Sequence, residues 1–87
     1  MKVVFSRLAE KQLKKLPRIV QFQIAQKIRE LASGGELSNT KLLVKYKNTF
    51  RIRVGNYRMV YRNFSDKHYL ILIEHRKSVY QSLKRIW

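Results

Sequence analysis

Hydrophobic positions recur with two different periods along the chain, and the change of period divides it. MKVVF (1–5) is a β-branched and aromatic run that predicts a first strand. From Arg7 to Leu16, Leu8, Ala9, Leu13 and Leu16 recur near helical spacing, while Lys11, Lys14 and Lys15 fall mainly on the other side. Ser6 suits the N-cap of that helix. Pro17 ends it and opens a second helix from about Arg18 to Ala32, with Val20, Ile24, Ile28 and Leu31 as its apolar stripe. Gly34 and Gly35 stop this helix, and residues 34–40 read as a turn-rich loop. Residues 41–49 read as an irregular approach to a sheet.

Beyond residue 49 the period changes to two. FRIRV and YRMVYRN flank Gly55-Asn56, a two-residue hairpin signal. FSDKH (64–68) predicts the next turn. YLILIE (69–74) is almost continuously apolar, which predicts a central strand buried on both sides. HRKSVYQSLKRIW closes the chain as a short helix or an extended tail. The expected class is α+β, one domain over residues 1–87: an N-terminal strand and a helical hairpin packed on a small antiparallel sheet, in the order β-α-α-β-β-β.

The hairpin signal also fixes a register. With Gly55-Asn56 at the turn, Val54 faces Tyr57, Arg53 faces Arg58, Ile52 faces Met59 and Arg51 faces Val60. Side chains alternate between the two faces of a strand. Phe50, Ile52, Val54, Tyr57, Met59 and Tyr61 therefore share a face that belongs on the helices. The other face carries Arg51, Arg53, Arg58, Val60 and Arg62, and is expected to be cationic and open. Like charges directly opposite destabilise a strand pair. An anion between Arg53 and Arg58 would remove that repulsion, and arginine forks hold phosphate oxygens bidentately.

Composition turns this local charge into a general one. Twenty Lys and Arg stand against five Asp and Glu, a formal net charge of +15 in 87 residues. Solubility of a small domain needs a net charge of only about 2–8 in magnitude, so the excess points to a polyanionic partner. No segment approaches the ~20 apolar residues of a membrane span, and the opening MKVVFSRLAEKQLKKL lacks the apolar run of a signal peptide. No cysteine is present, so disulfides and cysteine-based metal sites are excluded. A cytoplasmic location is expected.

The chemistry available is narrow. Glu10, Glu30, Glu36, Asp66 and Glu74 are scattered, with no dyad or Mg²⁺ spacing, and His68 and His75 lie on either side of a strand. No metal and no cofactor are expected. If HRKSVY is helical, Arg76 and Tyr80 sit at i and i+4, one above the other, and surrounding cations would lower the Tyr80 pKa from its reference of ~10. Metal-free phosphodiester cleavage needs a base for a 2′-hydroxyl, a group for the leaving oxygen and cations for the pentavalent phosphate. Tyr80 or His75 can transfer protons, and Arg51, Arg53, Arg58 and Arg76 can hold phosphate. Such chemistry requires RNA, because DNA lacks the 2′-hydroxyl.

The leucine–proline break in KQLKKLP, the hairpin FRIRVGNYRMVYR, YLILIEHRKSVY and the closing SLKRIW together resemble the RelE/ParE superfamily of toxins from toxin–antitoxin pairs, over nearly the whole length. The resemblance implies either mRNA cleavage in the ribosomal A site, as in RelE-like members, or DNA gyrase poisoning, as in ParE-like members that generally lack the RNase residues. The RelE-type set matches Arg51 and Arg53 before the turn, Arg58 after it, Arg76 near the start of the tail with His75 able to share its role, and Tyr80. All five positions hold a suitable residue, which favours the RelE-like branch. The implied roles are phosphate binding by Arg51, Arg53 and Arg58, activation of the 2′-hydroxyl by Tyr80, and service to the leaving group by His75 or Arg76. The implied partners are a locally acidic antitoxin, mRNA and the ribosome. Lys11, Lys14, Lys15, Lys45, Lys47 and Arg62 are candidate contacts to RNA. A non-catalytic RNA-binding module and an inactive family remnant are the remaining alternatives.

Overall fold

The computed structural model describes residues 2–34, 37 and 39–86. Gly35, Glu36 and Trp87, on which parts of the reading above fall, lie outside the described residues, as do Met1 and Ser38. The order is β1 (Lys2–Phe5), α1 (Arg7–Lys15), α2 (Arg18–Ala32), β2 (Thr40–Leu42), β3 (Thr49–Val54), β4 (Tyr57–Phe64), β5 (Lys67–His75) and α3 (Val79–Ile86). The five strands form one sheet in the order β1-β5-β4-β3-β2. The class is α+β as expected, with two corrections. Thr40–Leu42, across the end of the expected loop and the start of the expected irregular stretch, form a short strand, β2, antiparallel to β3. The sheet is mixed, because β1 runs parallel to β5. A parallel neighbour needs a crossover, and the α1–α2 hairpin supplies part of that excursion.

The helix boundaries follow local chemistry. Ser6 caps α1, its Oγ accepting from Ala9 N–H at 2.9 Å. At the other end Gln21 Nε2 donates to the carbonyls of Leu13 (2.9 Å) and Leu16 (3.1 Å); Leu13 O also accepts from the cap N–H of Leu16 at 3.2 Å. Gly34 follows α2 with φ at +83°, which glycine adopts without a steric penalty.

The hairpin register is as the pattern predicts: Val54 pairs with Tyr57, Arg53 with Arg58, Ile52 with Met59 and Arg51 with Val60. Gly55 makes the turn at φ +58°. One sheet face, with Ile52, Val54, Met59, Tyr61, Leu70 and Ile73, packs on Ala9, Ile24 and Leu31 of the helices. The central strand β5 is buried on both faces, again as predicted. Between Val60 and Tyr61 the β4–β5 register shifts by one residue, leaving Ile71 opposite no partner. A bulge frees backbone groups, and α1 takes them: Ser6 Oγ donates to Ile71 O at 2.5 Å, and Ile73 N–H donates to Gln12 Oε1 at 2.7 Å.

The second face is not open. Val60, Ile71 and Leu72 form a second core with Val79 and Leu83 of α3, joined by Leu43 and Tyr46. The tail is therefore a helix laid across the outer sheet face. The arginines surround that apolar centre instead of occupying an uncovered sheet.

Candidate nucleic-acid site

Alternation along β3 and β4 sends Arg51, Arg53 and Arg58 to the outer face, near the Gly55-Asn56 turn. Arg58 is 9% exposed, Arg51 half-buried and Arg53 exposed. A buried guanidinium needs acceptors. Arg58 Nη1 finds two in the turn itself, the carbonyls of Gly55 and Tyr57, each at 2.9 Å. These dipoles hold Arg58 beside Arg53; Glu74 is the cross-strand partner of Arg58 on β5, but no ion pair joins them among the described residues.

The tail completes the site. Arg76 N–H donates to Asn56 O at 2.8 Å, which ties the start of the tail to the hairpin turn. Burial of Val79 and Leu83 then seats α3, and Tyr80 in its first turn is 47% exposed. Arg58 registers all of these groups. Its pKa is lowered first by burial, then by the charges of Arg51 and Arg53 and, more weakly, of Arg76; the Tyr80 hydroxyl acts in the opposite direction. Five sequence candidates thus converge: Arg51, Arg53, Arg58, Arg76 and Tyr80.

His75 does not join them. It pairs with Tyr57, whose side chain belongs to the helix-side face, and the two rings meet edge to face at 5.5 Å. His75 lines a cleft of about 260 Å³ with Gln12, Lys15 and Leu16, and its Nδ1 accepts from Lys77 N–H at 3.2 Å. The bulge at Ile71 shifts the faces along β5, so this placement could not be counted off from the sequence.

The candidate RNA contacts divide between the two sides. Lys11, Lys14 and Lys15 are exposed on α1, across the sheet from the arginines, and Lys14 pairs with Glu10 at 3.5 Å. Lys45 and Lys47 are exposed on the β2–β3 loop, whose Leu43 and Tyr46 pack into the α3-side core, so both belong to the arginine side. Arg62 also points to the outer face, at the far end of β4. Asn56, Val60 and Leu72 were missed as site residues: they touch no candidate ligand but anchor the tail. Among the described residues no three His, Asp or Glu groups gather as a metal site, and no helix is long and apolar enough to cross a membrane.

Comparison with known proteins identifies the family and the fold. Residues 3–80 match the family described as ParE toxin of type II toxin–antitoxin systems. The chain belongs to that family. Toxin RelE3 of Methanocaldococcus jannaschii is 37% identical over 84 residues, covering 92% of this chain and 96% of that protein. The RelE toxin in the RelB–RelE complex from Methanococcus jannaschii superposes with a TM-score of 0.79 at 30% identity, covering 91% of this chain and 96% of that one. Isolated E. coli RelE gives 0.74 at 25% identity, over 99% and 98% of the two chains. The protein is a toxin of a toxin–antitoxin pair, RelE-like in sequence and in fold.

Proposed function

We propose that this RelE-like toxin is a ribosome-dependent, metal-free endoribonuclease that cuts mRNA in the A site and so halts translation in the cytoplasm. The observation that carries the reading is the gathering of Arg51, Arg53 and Arg58 on one face beside the hairpin turn, with Arg76 tied to that turn through Asn56 O and Tyr80 in the first turn of α3. Tyr80 takes the proton of the 2′-hydroxyl, whose oxygen attacks the adjacent phosphorus. The bond from phosphorus to the 5′-oxygen breaks and that oxygen takes a proton from water, leaving a 2′,3′-cyclic phosphate and a 5′-hydroxyl. Arg51, Arg53 and Arg58 carry the charge of the pentavalent phosphate. Arg76 stabilises the leaving 5′-oxygen, and it does so by charge, because a guanidinium holds its proton too tightly to donate it well. With His75 on the other sheet face, no strong acid serves the leaving group. The missing rate is then supplied by the ribosome, which orients the mRNA.

The high positive charge suits docking on ribosomal RNA, where phosphate contacts dominate affinity. Lys45, Lys47 and Arg62 extend the arginine side, while Lys11, Lys14 and Lys15 offer a second basic surface. The complex of the M. jannaschii RelE with RelB supports an antitoxin partner for this chain as well. A locally acidic segment lying over the arginines would silence it. The match to a family named for ParE keeps gyrase poisoning as the second reading.

Growth after induction separates the roles. Tyr80→Phe and Arg58→Ala should keep the fold and relieve growth arrest, while His75→Ala should remain toxic. Full toxicity of Tyr80→Phe and Arg58→Ala, or DNA damage without translation arrest, would contradict the nuclease reading.

A further inference from the structure

The outer sheet face has a second end, away from the hairpin turn, that α3 leaves uncovered. Register builds it in two rows. Val4, Tyr69 and Arg62 lie abreast on β1, β5 and β4, and Lys2, Lys67 and Phe64 lie abreast one step further. All six side chains fall on the outer face, because each row is in register and the bulge comes later, at Ile71. Together they carry three cations, two aromatic rings and no acid. Phe64 is 62% exposed and Tyr69 38% exposed, and the two rings belong to one patch. A cavity of about 430 Å³ opens between Val4, Arg62, Phe64, Lys67 and Tyr69.

We infer that this end of the sheet is a stacking platform for an unpaired nucleotide of ribosomal RNA. A sheet that presents exposed rings flanked by Lys and Arg meets the needs of single-stranded RNA: every base has a face to stack, and its phosphates seek cations. An apolar protein segment would use the rings but bring no charge to match Lys2 and Lys67. The occupant is not the cleaved strand, because α3 lies across Val60, Ile71 and Leu72 between this platform and the arginine cluster. Arg62 is four residues from Arg58 on β4, about 13 Å along the strand, so the two sites engage different stretches of RNA. The platform thus docks the toxin while the arginine cluster acts on the message. This rests on the ribosome-dependent reading above, but its own readout is binding, not cleavage.

The test measures binding of purified full-length toxin to a fluorescent single-stranded RNA hexamer and to empty ribosomes lacking mRNA, for wild type, Tyr69→Ala, Tyr69→Trp and Phe64→Ala. Both rings are exposed, so thermal melts of the variants should match wild type. Tyr69→Ala and Phe64→Ala should each weaken hexamer and empty-ribosome binding by about tenfold, and Tyr69→Trp should restore it. Unchanged binding in the alanine variants overturns the platform. A loss seen only on mRNA-programmed ribosomes overturns ribosomal RNA as the occupant. A loss of antitoxin binding with RNA binding intact shows a protein surface and overturns it too. Should Tyr80→Phe remain fully toxic while Tyr69→Ala loses empty-ribosome binding, the nuclease reading fails and the platform stands.

Discussion

At the scale of the residue, the site consists of cations held close together by neutral acceptors. Arg53 and Arg58 are cross-strand partners, and the turn carbonyls of Gly55 and Tyr57 satisfy Arg58 without cancelling its charge. The folded protein therefore carries repulsion that a bound phosphate would relieve. Arg53→Thr should raise the stability of the free toxin by about 0.2–1 kcal/mol, the size of a cross-strand pair term, while lowering RNA affinity; parallel melting and RNA-binding curves would show the opposed changes. His68 behaves differently. It is buried on the helix side, with Nδ1 2.6 Å from Asn63 Oδ1 and its ring edge-on to Tyr61. Burial holds its pKa below the ordinary ~6.5. Between those two values the unfolded chain binds the proton and the native one does not, so stability is full above ~6.5 and declines as pH falls towards the depressed value. Urea midpoints at pH 7.5 and pH 5 should show this loss in wild type and a smaller one in His68→Gln.

At the scale of the element, β5 organises the molecule, and its bulge joins the two layers. Ser6 both caps α1 and donates to the carbonyl freed at Ile71. Ser6→Ala removes the cap and leaves a part-buried acceptor unpaired, so a loss of about 1–3 kcal/mol is expected in urea denaturation. Elements with strong local chemistry were legible in the sequence. The α1 and α2 boundaries followed from Ser6 and Pro17, and the β3–β4 register from Gly55-Asn56 with alternating Arg and Ile. Three features were not legible. β2 is only three residues, and the parallel pairing of β1 with β5 depends on the path of the whole helical hairpin. The side taken by His75 depends on one unpaired residue, Ile71. The covered outer face had left a trace: a strand buried on both sides, and Val60 among arginines, require an apolar cover, and Val79 and Leu83 of the tail supply it.

At the scale of the molecule, the two sheet faces divide the work. The helix side carries the larger core and, on α1, the exposed Lys11, Lys14 and Lys15. The other side carries the arginine cluster at the hairpin end, α3 across the centre and the aromatic platform at the far end. Tyr80 is placed by the seating of α3 on the sheet, so the candidate site and the second core are one structure. The candidate site was legible as a set of residue types, Arg51, Arg53, Arg58, Arg76 and Tyr80, because strand alternation and the tail spacing are local. The exclusion of His75 needed the three-dimensional register. The most direct test uses purified toxin and ribosomes stalled with a defined codon in the A site, with the mRNA ends mapped by primer extension. The account predicts cuts at fixed positions within that codon, leaving 2′,3′-cyclic phosphate ends, undiminished in His75→Ala and reduced at least 10²-fold in Tyr80→Phe. Uncut mRNA with wild-type toxin, or equal cutting by Tyr80→Phe, would contradict it.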